Sequence, residues 1–317
     1  IDLLIGTHAL IYDGVQFNNL GLAIIDEQHK FGVAQRSKLW LKNKFPPHVL
    51  IMTATPIPRT LAMSVYGDLD MSIIDELPPG RKHIETFHQT DRDRLKLIRF
   101  IKNQIHKGKQ AYIVYPLIKE SEKLDFKDLL DGYESFSRDF PMPDYQISIV
   151  HGKMKNDEKE SEMKRFIENK TQILVSTTVI EVGVDVPNAT VMVIESAERF
   201  GLSQLHQLRG RVGRGSDKSF CFLVTGHKKT KESIMRMETM VSTNDGFIIA
   251  EKDLEIRGPG NLMGTQQSGE IPFKITNLIK DNELISKIRV LVSNIIKNDP
   301  NLQNNENHII SKNLKNI

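Results

Sequence analysis

Short runs of β-branched and other apolar residues alternate with helical patterns along most of this 317-residue chain. Alternation of this kind is typical of a parallel sheet, in which a helix crosses over between successive strands. We therefore predict an α/β, parallel-sheet fold. The runs that we interpret as strands are residues 3–5, 20–25, 49–52, 110–114, 146–150, 172–176, 190–194 and 219–224.

Three features divide the chain. Residues 77–81 read Leu-Pro-Pro-Gly-Arg, which is typical of a linker between two units. From about residue 226 the pattern becomes helical, with a turn at Asp245-Gly246. We therefore expect one α/β unit over 1–80, a second over 81–226, and a helical hairpin with C-terminal helices over 227–317. Charges and prolines in 119–144 predict a surface insertion there.

Composition excludes several classes of protein. No apolar run approaches the roughly 20 residues that span a bilayer, and no signal peptide is evident, so we expect a cytoplasmic protein without membrane contact. The single cysteine, Cys221, cannot form an internal disulfide, and no Cys/His cluster suits zinc. The net charge of +3 is too small to identify a partner by itself.

The strongest local pattern is Leu-Ala-Ile-Ile-Asp-Glu-Gln-His over residues 22–29. It is a hydrophobic strand that ends in two carboxylates, Asp26 and Glu27. Paired acids at such a position can bind Mg²⁺ and orient the water that attacks a phosphate. A solvated acidic turn is the simpler alternative, but four apolar residues before the pair and Gln-His after it favour the catalytic interpretation.

Hydroxyl groups follow two other strands. Thr53 and Thr55 belong to Thr-Ala-Thr-Pro, where they could connect a nucleotide site to its neighbour or simply form a turn. Thr177 follows the strand at 172–176 and could reach a nucleic-acid phosphate. Asp185 lies eight residues later and could accept a hydrogen bond from a ribose hydroxyl. Taken alone, Thr177 and Asp185 are each better explained as structural, whereas for Thr53 and Thr55 the two interpretations are evenly balanced.

Arginines and glycines are interleaved over residues 207–215, which read Gln-Leu-Arg-Gly-Arg-Val-Gly-Arg-Gly. The guanidinium group binds phosphate through two donors, and glycine lets the backbone come close. An arginine can also stabilise charge on a phosphoryl group during its transfer. A solvated basic loop is the alternative, although such loops rarely contain this glycine pattern.

Four of these segments occur in a characteristic order: residues 26–29, 53–56, 177–185 and 207–214. In this order they resemble motifs II, III, V and VI of superfamily 2 helicases. Several further segments are similar to the bacterial RecG family: residues 5–10, 31–33, 55–60, 67–70 and 253–260, the last followed by Gly-Thr-Gln-Gln at 264–267. The resemblance covers roughly residues 1 to 290. It implies two tandem RecA-like domains, the first incomplete, that bind ATP between them and drive branched double-stranded DNA such as stalled forks and Holliday junctions. It also implies a monomer.

The resemblance implies roles for individual residues. Those implied in catalysis, with Mg²⁺ held by the first two, are Asp26, Glu27, His29, Gln207, Arg211 and Arg214. Those implied near the nucleotide are Gly183, Asp185, Arg211 and Arg214. Those implied in DNA contact or in coupling ATP use to translocation are Thr7, His8, Thr53, Thr55, Thr177, Arg236, Arg257 and Gln267.

One element of the family is missing from these residues. The phosphate-binding pattern Gly-x-x-x-x-Gly-Lys-[Ser/Thr] does not occur, because the glycines at 210 and 215 are followed by Ser216 and not by lysine. The resemblance implies that this loop and a DNA-splitting wedge domain lie upstream of Ile1. We therefore expect the chain to be the later part of a longer motor.

Three alternatives stay open at this point. The motor of the transcription-repair coupling factor shares much of the pattern, although the Leu-Pro-Pro-Gly-Arg segment and Gln28 favour RecG. A non-enzymatic nucleic-acid-binding module would have no use for Asp26 and Glu27. An RNA helicase would share the ATPase motifs, but the segment from Arg236 to Gln267 favours a translocase on double-stranded DNA.

We predict that the isolated 317-residue chain binds ATP weakly and does not hydrolyse it. The backbone N–H groups and the lysine of the phosphate-binding loop hold the β- and γ-phosphates, and these residues include no such loop. Phosphate release by the purified chain, with and without DNA, tests this. Robust DNA-stimulated turnover would contradict it.

Overall fold

The computed structural model describes residues 2–12, 14–27, 46–54, 72–74, 76–116, 122–177, 185–226, 230–257 and 281–314. Near the N-terminus, two short strands pair in parallel: β1 (Leu22–Ile25) and β2 (His48–Ile51). Ile11 and Ile25 are buried together beneath this pair. Because the strands are parallel, the residues that follow Ile25 and Ile51 lie at the same edge.

A six-stranded parallel sheet organises the chain from residue 85 to residue 225. Its strands lie in the order β3-β8-β7-β4-β6-β5. Their bounds are β3 (Glu85–Thr90), β4 (Gln110–Val114), β5 (Ile147–Val150), β6 (Ile173–Ser176), β7 (Ala189–Ile194) and β8 (Phe220–Thr225). This confirms the predicted α/β, parallel-sheet fold.

Eight α-helices are described. Four connect strands of the sheet: α1 (Arg94–His106), α2 (Glu122–Asp139), α3 (Asn156–Ile167) and α4 (Leu202–Arg209). Two form a hairpin after the sheet: α5 (Lys231–Ser242) and α6 (Gly246–Arg257). Two lie at the C-terminus: α7 (Asn282–Asn298) and α8 (His308–Leu314). No helix in the described ranges is both long and apolar enough to cross a membrane.

The core lies on both faces of the sheet because side chains alternate along each strand. On β4, Tyr112 and Val114 belong to one buried cluster, together with residues of α3, α4 and α5. Ala111 and Ile113 belong to the other cluster, together with residues of α1 and α2. All residues of β4, β6 and β7 are buried. Burial on both faces explains why these strands read as continuous apolar runs.

Three expectations from the sequence were wrong in detail. Residues 122–139 form helix α2, whose buried Leu129 and Phe136 pack against the sheet, so this segment is not merely a surface insertion. The many charges of α2 concealed the spacing of its apolar residues. Residues 3–5 are not a strand in the structure. Strand β3 was missed because Glu-Thr-Phe-His-Gln-Thr contains only one large apolar residue.

The C-terminal residues are more ordered than an Asn- and Lys-rich composition suggests. Asp299 follows α7, and its carboxylate accepts backbone N–H bonds from Gln303 and Asn304, both at 2.9 Å. It also accepts a 2.9 Å bond from the Asn307 side chain. These bonds hold the turn between α7 and α8, and they lower the pKa of Asp299.

The side chain of Gln110 allows a test of how buried hydrogen bonds at the start of β4 stabilise the sheet. Its amide donates to the carbonyl oxygens of Phe166 (2.6 Å) and Thr171 (2.8 Å), and the residue is 1% exposed. We predict that Gln110→Ala lowers the free energy of unfolding by about 2 kcal/mol, because two buried carbonyls lose their donor. Denaturant unfolding measures this, with Gln303→Ala as the control at an exposed position. Equal effects in the two variants would contradict the prediction.

Candidate functional site

The two acidic residues follow strand β1 directly. The Asp26 carboxylate accepts a hydrogen bond from the backbone N–H of Glu27 at 2.8 Å. Glu27 has a φ of 52°, which is uncommon for a residue other than glycine and turns the chain sharply at the end of the strand. Asp26 is exposed, whereas one carboxylate oxygen of Glu27 is shielded from solvent. The pair therefore offers one open carboxylate and one that is partly shielded.

Close packing of glycines shapes the loop that contains the arginines. Gly213 has a φ of 75°, and a Cβ atom there would lie 3.0 Å from the side chain of Ile84. A Cβ atom at Gly215 would lie 3.1 Å from the carbonyl oxygen of Pro187. The loop lies between α4 and β8, so these contacts place it at the edge of the sheet where β3, β7 and β8 begin. We refer to this edge as the amino edge.

Arg214 and Asp185 form an ion pair at the amino edge. Arg214 also donates from Nε to the carbonyl oxygen of Gly210, at 3.3 Å. The Arg214 side chain is 29% exposed and that of Asp185 is 57% exposed. Exposed ion pairs of this kind contribute little to the stability of the fold. Either residue can therefore leave the pair and bind a phosphate or a hydroxyl group instead, at a small cost in free energy.

The charge of Arg211, in the arginine loop, interacts with the charge of Glu27, which follows β1. Burial lowers the pKa of its guanidinium, the neighbouring Arg214 lowers it further, and the carboxylate of Glu27 opposes both effects. Glu27 precedes Arg211 by 184 residues, and yet its charge acts more strongly on Arg211 than that of Asp185 does. The structure thus brings together an acid and an arginine that the sequence singled out separately.

The sequence did not single out two other residues near these arginines. Tyr112 of β4 is 1% exposed, and burial raises its pKa to about 12, while Arg211 and Arg214 lower it. Arg81 of the Leu-Pro-Pro-Gly-Arg segment donates to the carbonyl oxygen of Gly210 at 3.5 Å. A tyrosine within an apolar strand is an ordinary core residue in the sequence and does not indicate a functional site. Only the packing of the strand shows which face of the sheet it occupies.

We call the opposite edge of the six-stranded sheet, at which its strands end, the carboxyl edge. Thr177 lies at this edge. It follows β6, its backbone N–H donates to Val150 at 3.4 Å, and it is 2% exposed. Among the described residues its hydroxyl has no hydrogen-bond partner. Thr7 precedes a short 3-10 helix (His8–Ile11), and its hydroxyl accepts from Ala9 at 3.4 Å. Thr53 is exposed after β2.

The other predicted site residues are described in part or lie outside the described ranges. Arg236 of α5 donates to the carbonyl oxygen of Glu198 at 2.8 Å, just beyond the end of β7. Gln207 is half-buried on α4. Arg257 is the last residue of α6, and only its backbone is described. The side chain of His8 is likewise not described. The residues that lie outside the described ranges are His29, Thr55, Gly183 and Gln267.

Histidine 206 lies beside the arginines on α4. Its Nδ1 is 3.2 Å from Nη2 of Arg209 and must accept, since arginine only donates. Burial lowers the pKa of His206 to about 4, with Arg209 and Arg81 acting in the same direction and Asp245 opposing them. The imidazole is therefore neutral at neutral pH.

Comparison with known proteins identifies relatives of this chain. Residues 93–216 match the helicase conserved C-terminal domain, and residues 243–317 match the C-terminal part of domain 3 of the ATP-dependent DNA helicase RecG. The RecG helicase of Synechocystis is 52% identical over 96% of this chain, and that of Bacillus subtilis is 51% identical over 94%. A solved RecG bound to a three-way DNA junction superimposes with a TM-score of 0.65, at 45% identity over 89% of this chain.

The chain spans less than half the length of these proteins: 36% of the Synechocystis relative, 43% of the Bacillus relative and 35% of the solved chain. The match at 243–317 is specific to RecG helicases. It favours that family over the transcription-repair coupling factor, in agreement with the sequence-based interpretation.

We predict that His206 makes the chain less stable in acid. Its pKa falls from 6.5 to about 4 on folding, so the unfolded chain binds the proton first, and stability is lost as the pH falls from 6.5 towards 4. His206→Gln should reduce the loss of unfolding free energy between about pH 7 and about pH 4.5 by about 2 kcal/mol. Denaturant unfolding at the two pH values measures this. Identical pH dependence in both proteins would contradict it.

Proposed function

Because this chain belongs to the RecG family of DNA helicases, we propose that it forms part of an ATP-driven motor that acts on branched DNA. The relatives are named ATP-dependent DNA helicases, and the solved relative is bound to a three-way junction. Stalled replication forks and Holliday junctions have the same branched character, and we propose them as substrates. We also propose that the protein works in the cytoplasm.

The observation that supports this proposal most directly is the charge interaction between Glu27 and Arg211. A motor of this type needs a carboxylate that acts on the attacking water and arginines that neutralise the phosphates, on opposite sides of one nucleotide. Here the acid comes from the end of β1 and the arginines come from the loop before β8. The two groups lie in different α/β units, as a site between two domains requires.

The acidic pair fits a magnesium ion by the chemistry of its donors. Mg²⁺ prefers oxygen ligands and usually keeps water or substrate phosphates among them. Within the described residues no group of three or more potential metal ligands occurs, so Asp26 and Glu27 would hold the ion only together with phosphates. When bound, MgATP supplies the phosphoanhydride bond whose hydrolysis drives the motor.

The residues of the chain then divide the work at the phosphates. Asp26, which is exposed, is available as a ligand, and the partly shielded Glu27 can orient and deprotonate water. Arg211 and Arg214 would neutralise charge on the phosphoryl group, and Arg214 is free to move because its pair with Asp185 is exposed. Asp185, once released, can accept from a ribose hydroxyl. We also assign Gln207 and Gly183 to this site.

We propose that DNA lies along the carboxyl edge of the six-stranded sheet. The buried hydroxyl of Thr177 has no partner among the described residues, and a phosphate oxygen could supply one. We propose the domain division 1–80, 81–226 and 227–317 for this motor. Thr7, His8, Thr53 and Thr55 would contribute from the first unit, and Arg236, Arg257 and Gln267 would link ATP use to movement.

We predict that Glu27→Gln, in the whole protein that carries these residues, abolishes ATP turnover and leaves ATP binding largely intact. The amide keeps the size of the side chain and can still bind through oxygen, but it cannot accept a proton from water. Turnover and nucleotide affinity measured side by side test this. Glu160→Gln, at an exposed position of α3, is the matched control and should behave as the unaltered protein. Near-normal turnover by Glu27→Gln would remove Glu27 from the catalytic role.

A further inference from the structure

Arg209 is the arginine of the loop region to which no role is yet assigned. It is the last residue of helix α4 and precedes Arg211 by only two residues. It is nevertheless 1% exposed, and among the described residues it is the largest side chain that is fully buried. Its Nη1 donates to the carbonyl oxygens of Met240 (2.7 Å) and Thr243 (2.9 Å). The same atom is 3.3 Å from the hydroxyl of Thr86. Arg209 therefore points into the protein.

The two carbonyl oxygens lie at the C-terminal end of helix α5. Met240 is in the last turn, and Thr243 is the C-cap. The last carbonyls of a helix have no partner within it, and they carry the negative end of the helix dipole. A guanidinium group there supplies donors and a favourable charge. Arg209 thus caps α5 from a neighbouring helix.

Within the described part of the chain, this guanidinium forms hydrogen bonds with neutral groups only. Burial lowers the pKa of Arg209, but an arginine stays protonated in proteins, so a full positive charge is enclosed. An apolar side chain would fill the same space without the cost of desolvating a charge. What arginine adds is direction, because the two N–H bonds of Nη1 lie in the rigid plane of the guanidinium group and point at the two carbonyl oxygens.

The hairpin connects the two edges of the sheet. Helix α5 begins after β8 ends, and Arg236 contacts Glu198 near that carboxyl edge. Its last turn is held by Arg209 near Thr86, where β3 begins, at the amino edge. Twelve residues of helix correspond to roughly 18 Å. Helix α6 then returns, and Ser203 of α4 donates to Asp253 of α6 at 3.4 Å.

We propose that Arg209 is a positioning residue that makes α4 and the α5–α6 hairpin move as one body. A displacement of Arg211 and Arg214 on binding or release of nucleotide would shift the end of α4. Arg209 would pass that shift to the turn between α5 and α6, and the hairpin would deliver it to the carboxyl edge. This inference rests on the proposed function, and it concerns a residue outside the nucleotide contacts.

The test uses Arg209→Lys in the whole protein. Lysine keeps the charge, but its ammonium group rotates on a flexible stem and lacks the fixed plane of the guanidinium, so the end of α5 loses its fixed orientation against α4. We expect DNA-dependent ATP hydrolysis within about threefold of the unaltered protein and unwinding of a model fork per ATP lowered by about tenfold or more. A change in folding alone would not alter the ratio of unwinding to hydrolysis.

Thr86→Val is the matched control. It removes the hydroxyl contact of Arg209 with β3 and leaves both α5 carbonyl oxygens bound, so it should lower the melting temperature slightly without changing unwinding per ATP. If Arg209→Lys keeps a normal ratio, or if both activities fall equally, the inference is wrong. If the unaltered protein neither hydrolyses ATP nor unwinds the fork, the proposed function fails instead.

A second measurement covers the case in which Arg209→Lys does not fold. Hydrogen exchange in the unaltered protein, with and without a non-hydrolysable ATP analogue and Mg²⁺, should show a nucleotide-dependent change in protection at residues 240–247. The analogue must also protect the arginine loop at 210–215, which shows that it has bound. Protection of the loop with no change in the turn would overturn the inference.

Discussion

Burial of the central strands on both faces is the constraint on which the rest of this structure depends. Strands β4, β6 and β7 expose no residue, so helices must cover the sheet above and below, and every polar group that acts on a ligand must lie at one of the two edges. The arginine loop and Asp185 lie at the amino edge, and Thr177 lies at the carboxyl edge. The length of the strands therefore separates the proposed nucleotide and DNA sites.

Charged groups at the two edges differ in how firmly they are held. At the carboxyl edge Arg94 pairs with Glu195, whose pKa is raised by burial and lowered again by the arginine. Arg94 also lies over the ring of Phe136, at 4.5 Å from its centroid. Breaking such a buried pair leaves a charge without a partner and is costly. The pair of Arg214 with Asp185 is exposed and exchangeable, as suits groups that bind and release a ligand.

Much of the fold was predictable from the sequence because the buried strands leave continuous apolar runs. Five predicted strands of the second unit match observed strands to within one residue at either end. Strand β3 and helix α2 were not predicted, since their polar residues conceal the few buried ones, Thr86 and Phe136 among them. The predicted site residues were found by motif order, and their roles stay predictions. Tyr112 and Arg81 were missed because neither departs from an ordinary strand or linker residue.

The arginines at 209, 211 and 214 show what each level of description decides. The sequence by itself determined that guanidinium groups cluster among glycines ahead of a strand, and that two acids follow a distant apolar run. It could not separate the three arginines by role, because they are chemically identical and lie within six residues. Only the tertiary structure brings the charge of Glu27 to act on Arg211, pairs Arg214 with Asp185 and buries Arg209 against α5. The physical reason is that packing between residues distant in the sequence decides which way each side chain near the end of a helix points. A local sequence pattern does not contain that information.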